Sequence, residues 1–258
     1  MGGRGATSSL GAMAGGASVT LPPQPDPNTQ VDDTQVASAF SADYNKFMAM
    51  TDDEKADFID ANMKQGVPDH LAQNHFQSFI YNSGLNEKPE IVSDATLDTM
   101  TGTEIFRTVD SVYNKQKDLS YSADQIAKQV TQGRYTRVSD TGGSVYGRGI
   151  YFADNYSDST SYGSTRGNVK QTAVMRGKLN SNAKVISYST ASQGASREIS
   201  SGSKLGKVLG KADSASRVSI YAMAKGYNVI SSGHGYLNVL NRNAITMSSD
   251  IKPKGSSW

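Results

Sequence analysis

The sequence predicts an α+β fold in which helices lead and short strands dominate the second half. Three observations carry that reading. Apolar residues recur at helical spacing between 39 and 82, with Phe47 and Met50 three apart and Phe58, Ile59 and Met63 continuing the stripe. From 145 onward short apolar runs are closely spaced and separated by Gly, Asn and Ser, the pattern of strands and turns. The length, 258 residues, is enough to bury a substantial core.

In chain order, residues 1–38 are rich in Gly, Ser, Ala, Pro and Thr, with few aliphatic side chains. Such a segment buries too little apolar surface to offset its ordering entropy, so it is expected to be a disordered Gly/Ser/Pro arm. Residues 39–95 form the helical lead-in. Thr51-Asp52-Asp53-Glu54 is a capping-box signature, and Gly66-Val67-Pro68 marks a helix stop. A second helix presents Leu71, Phe76, Phe79, Ile80 and Tyr81 on its buried face. Ile105–Val109 is a β-prone run with one charge at its centre, Arg107. Residues 122–133 read as a helix capped by Ser122. Val145–Phe152 is a strand led by a Gly-x-Gly turn, and 171–179 and 183–188 read as a strand pair joined by Asn180-Ser181-Asn182. The Ser/Gly-rich stretch 189–215 is expected to be a long loop holding at most a short helix. A helix over 215–225, strands near 227–230, 236–240 and 244–247, and a polar tail over 251–258 complete the chain.

Composition excludes several classes of function. There are 26 basic and 24 acidic residues, so the basic excess of a nucleic-acid binder is not indicated. No cysteine is present, which removes disulfides, thiolate metal sites and a cysteine nucleophile. His70, His75 and His234 are scattered and suggest no metal site. No apolar run approaches the roughly 18 residues that a membrane span requires, so no membrane partner is expected.

The chemistry is concentrated in two stretches. Gly147-Arg148-Gly149-Ile150-Tyr151-Phe152-Ala153 is followed by Ser159 and Tyr162, and upstream stands Glu104-Ile105-Phe106-Arg107-Thr108-Val109. Together they resemble the nicotinamide-pocket segments of the ADP-ribosyltransferase superfamily: an Arg strand, a helix, a G-x-G-I-Y-F-A strand, then an S…Y helix. Later stretches, "L-N-x-x-A-K" and "A-K-G-Y-N-V-I", are similar to phage-encoded mono-ADP-ribosyltransferases and minor head-type proteins, and the resemblance covers about 100–248. The resemblance implies a split β-sandwich, two short and roughly perpendicular antiparallel sheets with an NAD cleft between them, over 96–250. It implies that NAD is the substrate. Arg107 then grips phosphate, as a planar and permanently charged fork is suited to do. Thr108 and Ser159 hold the carboxamide, Gly149 shapes the turn, and Tyr151 and Tyr162 stack on the nicotinamide.

The family also places a Glu at the start of a late strand, to hold the ribose and stabilise the charge that develops as nicotinamide leaves. Here that strand begins Gly233-His234-Gly235-Tyr236, and the last of the five glutamates is Glu198. Glu198 and His234 are therefore the catalytic candidates. Two readings stay open. One is an NAD-dependent mono-ADP-ribosyltransferase, phage-encoded and modifying a host protein in the host cytoplasm. The other is a structural or delivered virion protein that keeps the fold among phage head proteins and has lost turnover.

Overall fold

The structure is a computed structural model, and it describes residues 44–67, 74–85, 87–114, 119–131, 145–162 and 172–256. The expected N-terminal arm lies outside the described residues, as do Pro68, His70 and Leu71. A first helix, α1, covers 44–49. It is followed by α2 (Asp52–Met63) and α3 (His75–Ser83). The Thr51 capping box forms as expected, with Glu54 accepting from the Thr51 amide at 2.8 Å. Asn74 caps α3, and Gly84 closes it in the left-handed conformation.

Eight strands form one mixed sheet in the order β1-β10-β6-β2-β5-β9-β8-β7. They are β1 (Glu90–Val92), β2 (Glu104–Asp110), β5 (Ile150–Ala153), β6 (Thr172–Leu179), β7 (Val185–Ser187), β8 (Val229–Ser231), β9 (Tyr236–Val239) and β10 (Ile245–Pro253). A separate hairpin pairs β3 (Val112–Asn114) with β4 (Leu119–Tyr121). The helices between and after the strands are α4 (Asp94–Thr99), α5 (Ala123–Thr131), α6 (Tyr156–Tyr162), α7 (Tyr188–Ser201), α8 (Lys204–Lys211) and α9 (Ser214–Ala224). The α+β class is as expected.

Pairing is not uniform across the sheet. β2 and β6 share seven registered pairs, from Glu104↔Lys178 to Asp110↔Thr172. β5 and β9 share four. Between these two blocks, β2 and β5 are joined by one pair alone, Phe106↔Ala153. The strands thus form one continuous mixed sheet, not the two antiparallel sheets expected, pinched at its centre where β2 and β5 share a single registered pair.

Two hydrophobic cores flank this arrangement. One gathers Phe47, Ile59 and Phe79 from the leading helices with Leu205, Leu209, Ile220 and Met223 from α8 and α9. The lead-in helices therefore share a core with the late helices. β1, inside the same segment, pairs in parallel with β10. The other core lies beneath α5 and collects Ile105, Phe152, Met175, Val239 and Met247.

Three further expectations fail. The 189–215 stretch is helical through α7 and α8 and into α9, because small Ala191 and Ala195 bury a face on which Tyr188 and Ile199 are only partly buried. Ser187 and Ser203 cap α7 and α8, each accepting from the backbone three residues on. The 171–179 and 183–188 strands are not partners: β6 pairs with β2 and β10, whereas β7 pairs in parallel with β8. The polar tail is also shorter than expected, since β10 runs through Pro253.

Candidate functional site

Four of the sequence-predicted residues make two contacts beside the pinch, Arg107 with Tyr151 and Thr108 with Ser159. Arg107 and Thr108 sit side by side on β2, and Tyr151 lies on the facing strand β5. Arg107 Nη1 donates to the Tyr151 carbonyl at 2.7 Å, spanning the gap where ladder pairing has stopped. Ser159, on α6, is buried and lies 3.0 Å from Thr108, hydroxyl to hydroxyl. That contact fixes α6 against β2. The edge-on packing of Tyr156 on Phe106, with centroids 5.9 Å apart, holds the same two elements at the other end.

Arg107 is electrostatically unusual. The residue is partly exposed, yet its Nε is sealed from solvent and has no hydrogen-bond partner among the described residues. A guanidinium carries five N–H donors, and the one hydrogen bond made here is to a neutral carbonyl. Among the described residues no carboxylate pairs with it. Burial alone pulls its pKa down to about 10. Arg176, one strand away, shows the contrast: Asp98 and Glu104 both pair with it and hold its pKa above the ordinary value against the pull of burial. The sheet thus contains one neutralised arginine and one with no counter-ion among the described residues.

The Gly-x-Gly turn is built for close approach. Gly147 has φ +92°, and a Cβ there would stand 2.6 Å from Ser219 Oγ on α9. A Cβ on Gly149 would stand 2.0 Å from Asn238 Oδ1 and 2.9 Å from the Val239 carbonyl. Ser219 Oγ accepts from the Arg148 amide at 2.7 Å and donates to the Arg148 carbonyl at 2.6 Å. Asn238 Nδ2 donates to the Tyr146 and Arg148 carbonyls at 3.0 and 3.3 Å. The Tyr151 hydroxyl completes the clamp, donating to the Gly147 carbonyl at 2.7 Å and accepting from the Tyr146 amide at 3.0 Å. Burial raises the pKa of that hydroxyl, so it stays protonated and remains a donor. Ser219 and Asn238 escaped the sequence reading. The one available signal was a polar Asn inside the apolar run Tyr236–Leu240.

Arg148 connects the turn to the leading helices. Its Nε lies 3.7 Å from Asp213 Oδ1, and Asp213 caps α9 through the Ser216 amide at 3.0 Å. Asp213 Oδ2 accepts from the His75 amide at 3.4 Å, at the start of α3. Burial opposes ionisation of Asp213, but the hydrogen bonds from Ser216 and His75 outweigh it and hold the pKa at about 2. The folded value is therefore below the unfolded one. This stability contribution is complete above the ordinary carboxylate range and is lost as pH falls toward 2. Asp213 keeps a third of its surface, so screening limits the contribution to about 1 kcal/mol. Asp213→Asn is expected to remove that acid-limb dependence from urea-unfolding midpoints measured between pH 5 and 3.

The two catalytic candidates fare differently. Glu198 lies on α7, not in a loop, and it is bound to Ser203 Oγ at 2.7 Å and Lys225 Nζ at 3.0 Å. The hydrogen bond from Ser203 lowers its pKa most, and Lys225 adds to the effect. Tyr188, which starts α7, packs edge-on against Tyr146 beside the turn. Glu198 is ten residues further along that helix, about 15 Å by helical rise. It ties α7 to the starts and ends of neighbouring helices and does not join the cluster. His234 is exposed in the turn between β8 and β9, with its amide on Ser232 Oγ at 3.0 Å. It sits at the rim of β9, the strand that pairs with β5. Tyr162 ends α6, and its side chain lies outside the described residues.

Among the described residues no group of three or more His, Asp or Glu is placed to hold a metal ion, and no helix is long and apolar enough to cross a membrane. Comparison with protein-family models, with curated proteins and with solved structures returns no match to this chain.

Proposed function

We propose that this chain binds NAD at the pinch between β2 and β5 and transfers its ADP-ribose to a protein acceptor. The observation that carries the reading is Arg107. A half-buried arginine whose Nε is sealed and unpartnered, with no carboxylate paired to it among the described residues, is costly to fold around, and an anionic ligand supplies the charge and the acceptors it lacks. The pyrophosphate of NAD is such a ligand. Thr108 and Ser159, 3.0 Å apart on adjoining elements, offer hydroxyls for the nicotinamide carboxamide. Tyr151, fixed through its hydroxyl to its own glycine turn, offers a rigid ring face. These positions coincide with the order of motifs that resembles the ADP-ribosyltransferases, and the pinched sheet suits a cleft between two half-sheets.

In this reading the protein's share of the chemistry is orientation. Arg107 anchors the phosphates, the hydroxyl pair sets the plane of the carboxamide, and the aromatic face strengthens its hold as the pyridinium becomes neutral nicotinamide. The acceptor nucleophile comes from the target, a host protein if the chain is phage-encoded. A virion role among phage head proteins, with the pocket retained and turnover lost, is favoured by one observation: the start of β9 offers Gly235 where an acid is wanted. Incubation with labelled NAD and host lysate, together with calorimetry, separates the two. Nicotinamide release with label on protein is the expected result. NAD binding without release supports the virion reading, and no binding removes both.

A further inference from the structure

Resting on the NAD-transferase reading, we propose that Asp154 supplies the catalytic carboxylate, from the end of β5, in place of an acid on β9. In sequence the start of β9 has no acid near it, but across the sheet it does. The Asp154 amide donates to the Gly235 carbonyl at 2.9 Å, so the end of β5 is locked to the start of β9. A Cβ on Gly235 would stand 3.0 Å from Asp154 Oδ1 and 3.5 Å from Oδ2. Gly235 therefore leaves open the space at the head of β9 that a side chain would fill, and the Asp154 carboxylate faces into it. Gly235 has φ +81°, which favours glycine by itself, and a side chain there would also press the Asp154 carboxylate back by a few tenths of an ångström.

The carboxylate is oriented and open to solvent. Asn155 Nδ2 donates to Asp154 Oδ1 at 3.1 Å and to Asp158 Oδ2 at 2.8 Å, and the Asn155 Oδ1 accepts from the Asp158 amide at 2.8 Å. Asn155 is thus rigid at the head of α6, and it leaves Asp154 Oδ2 free of any hydrogen bond from Asn155. Asp154 is exposed, as a group that must meet an incoming substrate requires. It stands three residues from Tyr151, roughly 10 Å along an extended strand.

The step balances without any further reagent. The bond between ribose C1′ and the pyridinium nitrogen breaks, and its electron pair leaves with nicotinamide, which becomes neutral. Asp154 accepts a hydrogen bond from the ribose hydroxyl and offsets the positive charge that develops at C1′. The acceptor's lone pair forms the new bond to C1′, and its proton passes to the Asp154 carboxylate and on to solvent.

The test uses the full chain and NAD itself. Nicotinamide release and calorimetric affinity are measured for the wild type, Asp154→Asn and Asp154→Glu. Asp154→Asn should lower release about 10²–10³-fold while the dissociation constant for NAD changes less than about threefold, and Asp154→Glu should restore part of the rate. Equal release by wild type and Asp154→Asn overturns the assignment and leaves the NAD pocket standing. So does wild-type binding with no release, and so does a loss of affinity that parallels the loss of rate. Absence of wild-type binding removes the pocket reading, and the assignment with it.

Discussion

Arg107→Met yields a protein that is more stable than the wild type and no longer binds NAD. Holding Arg107 charged in its buried position, with its pKa drawn down to about 10, costs on the order of 3 kcal/mol. The sign is fixed over the working range. A base whose folded pKa is depressed penalises the folded state at every pH below that value, and the penalty fades only as pH climbs through it. Methionine fills much of the same volume without charge. It forfeits the 2.7 Å hydrogen bond to the Tyr151 carbonyl, about 1 kcal/mol. The expected net gain is about 1–2 kcal/mol, comparable to other replacements of buried charge by apolar groups. For a folded body of this size that is a rise of roughly 2–8 °C in Tm. NAD affinity should fall at least about 100-fold, since a charge-assisted contact to phosphate is lost.

Gly149→Ala has the larger structural effect, in the opposite direction. The added methyl would stand 2.0 Å from Asn238 Oδ1 and 2.9 Å from the Val239 backbone, at φ +159°. The Asn238 side chain cannot retreat without abandoning the Tyr146 and Arg148 carbonyls that it holds at 3.0 and 3.3 Å. The Val239 carbonyl belongs to β9, which pairs with β5 over four residues, so it cannot retreat alone either. A cost above about 3 kcal/mol is expected, measured as a drop in the urea midpoint at unchanged slope. Trimming Asn238 in the same chain should rescue little, because the backbone contact survives. Full rescue by Asn238→Ala would show that the turn is not pinned to β9 as described.

The sequence exposed the site more fully than it exposed the body around it. Arg107, Thr108, Tyr151 and Ser159 were legible as candidates because each belongs to a short run whose order along the chain has meaning; in the structure Arg107 contacts Tyr151 and Thr108 contacts Ser159. Glu198 was misplaced for a physical reason. The α7 helix buries Ala191 and Ala195 with Tyr188 and Ile199 partly buried beside them, and the Ser, Thr, Gln and Gly between these positions read as a loop. The capping serines at 187 and 203, and the left-handed Gly202 between the helices, were the signals present.

Asp154 was passed over for a different reason. It stands next to Ala153 in the sequence, but its pertinence arises from β9, which arrives about 80 residues later and places Gly235 against it. Strand adjacency of that range is set by the whole fold and leaves no local trace. The same holds for Ser219 and Asn238, which clamp the turn from α9 and β9. A sequence names the residues that carry a motif; the residues that hold the motif in shape are supplied by distant elements.

The central claim is that Arg107 lacks a counter-ion because NAD provides it. Thermal unfolding of wild type and Arg107→Met, each with and without NAD, tests this most directly. Saturation at about 100 times the dissociation constant contributes roughly 2.7 kcal/mol. The wild type is expected to gain several degrees on adding NAD, while the variant starts higher and does not move. A wild-type Tm that ignores NAD, or a variant that gains as much as the wild type, would contradict it.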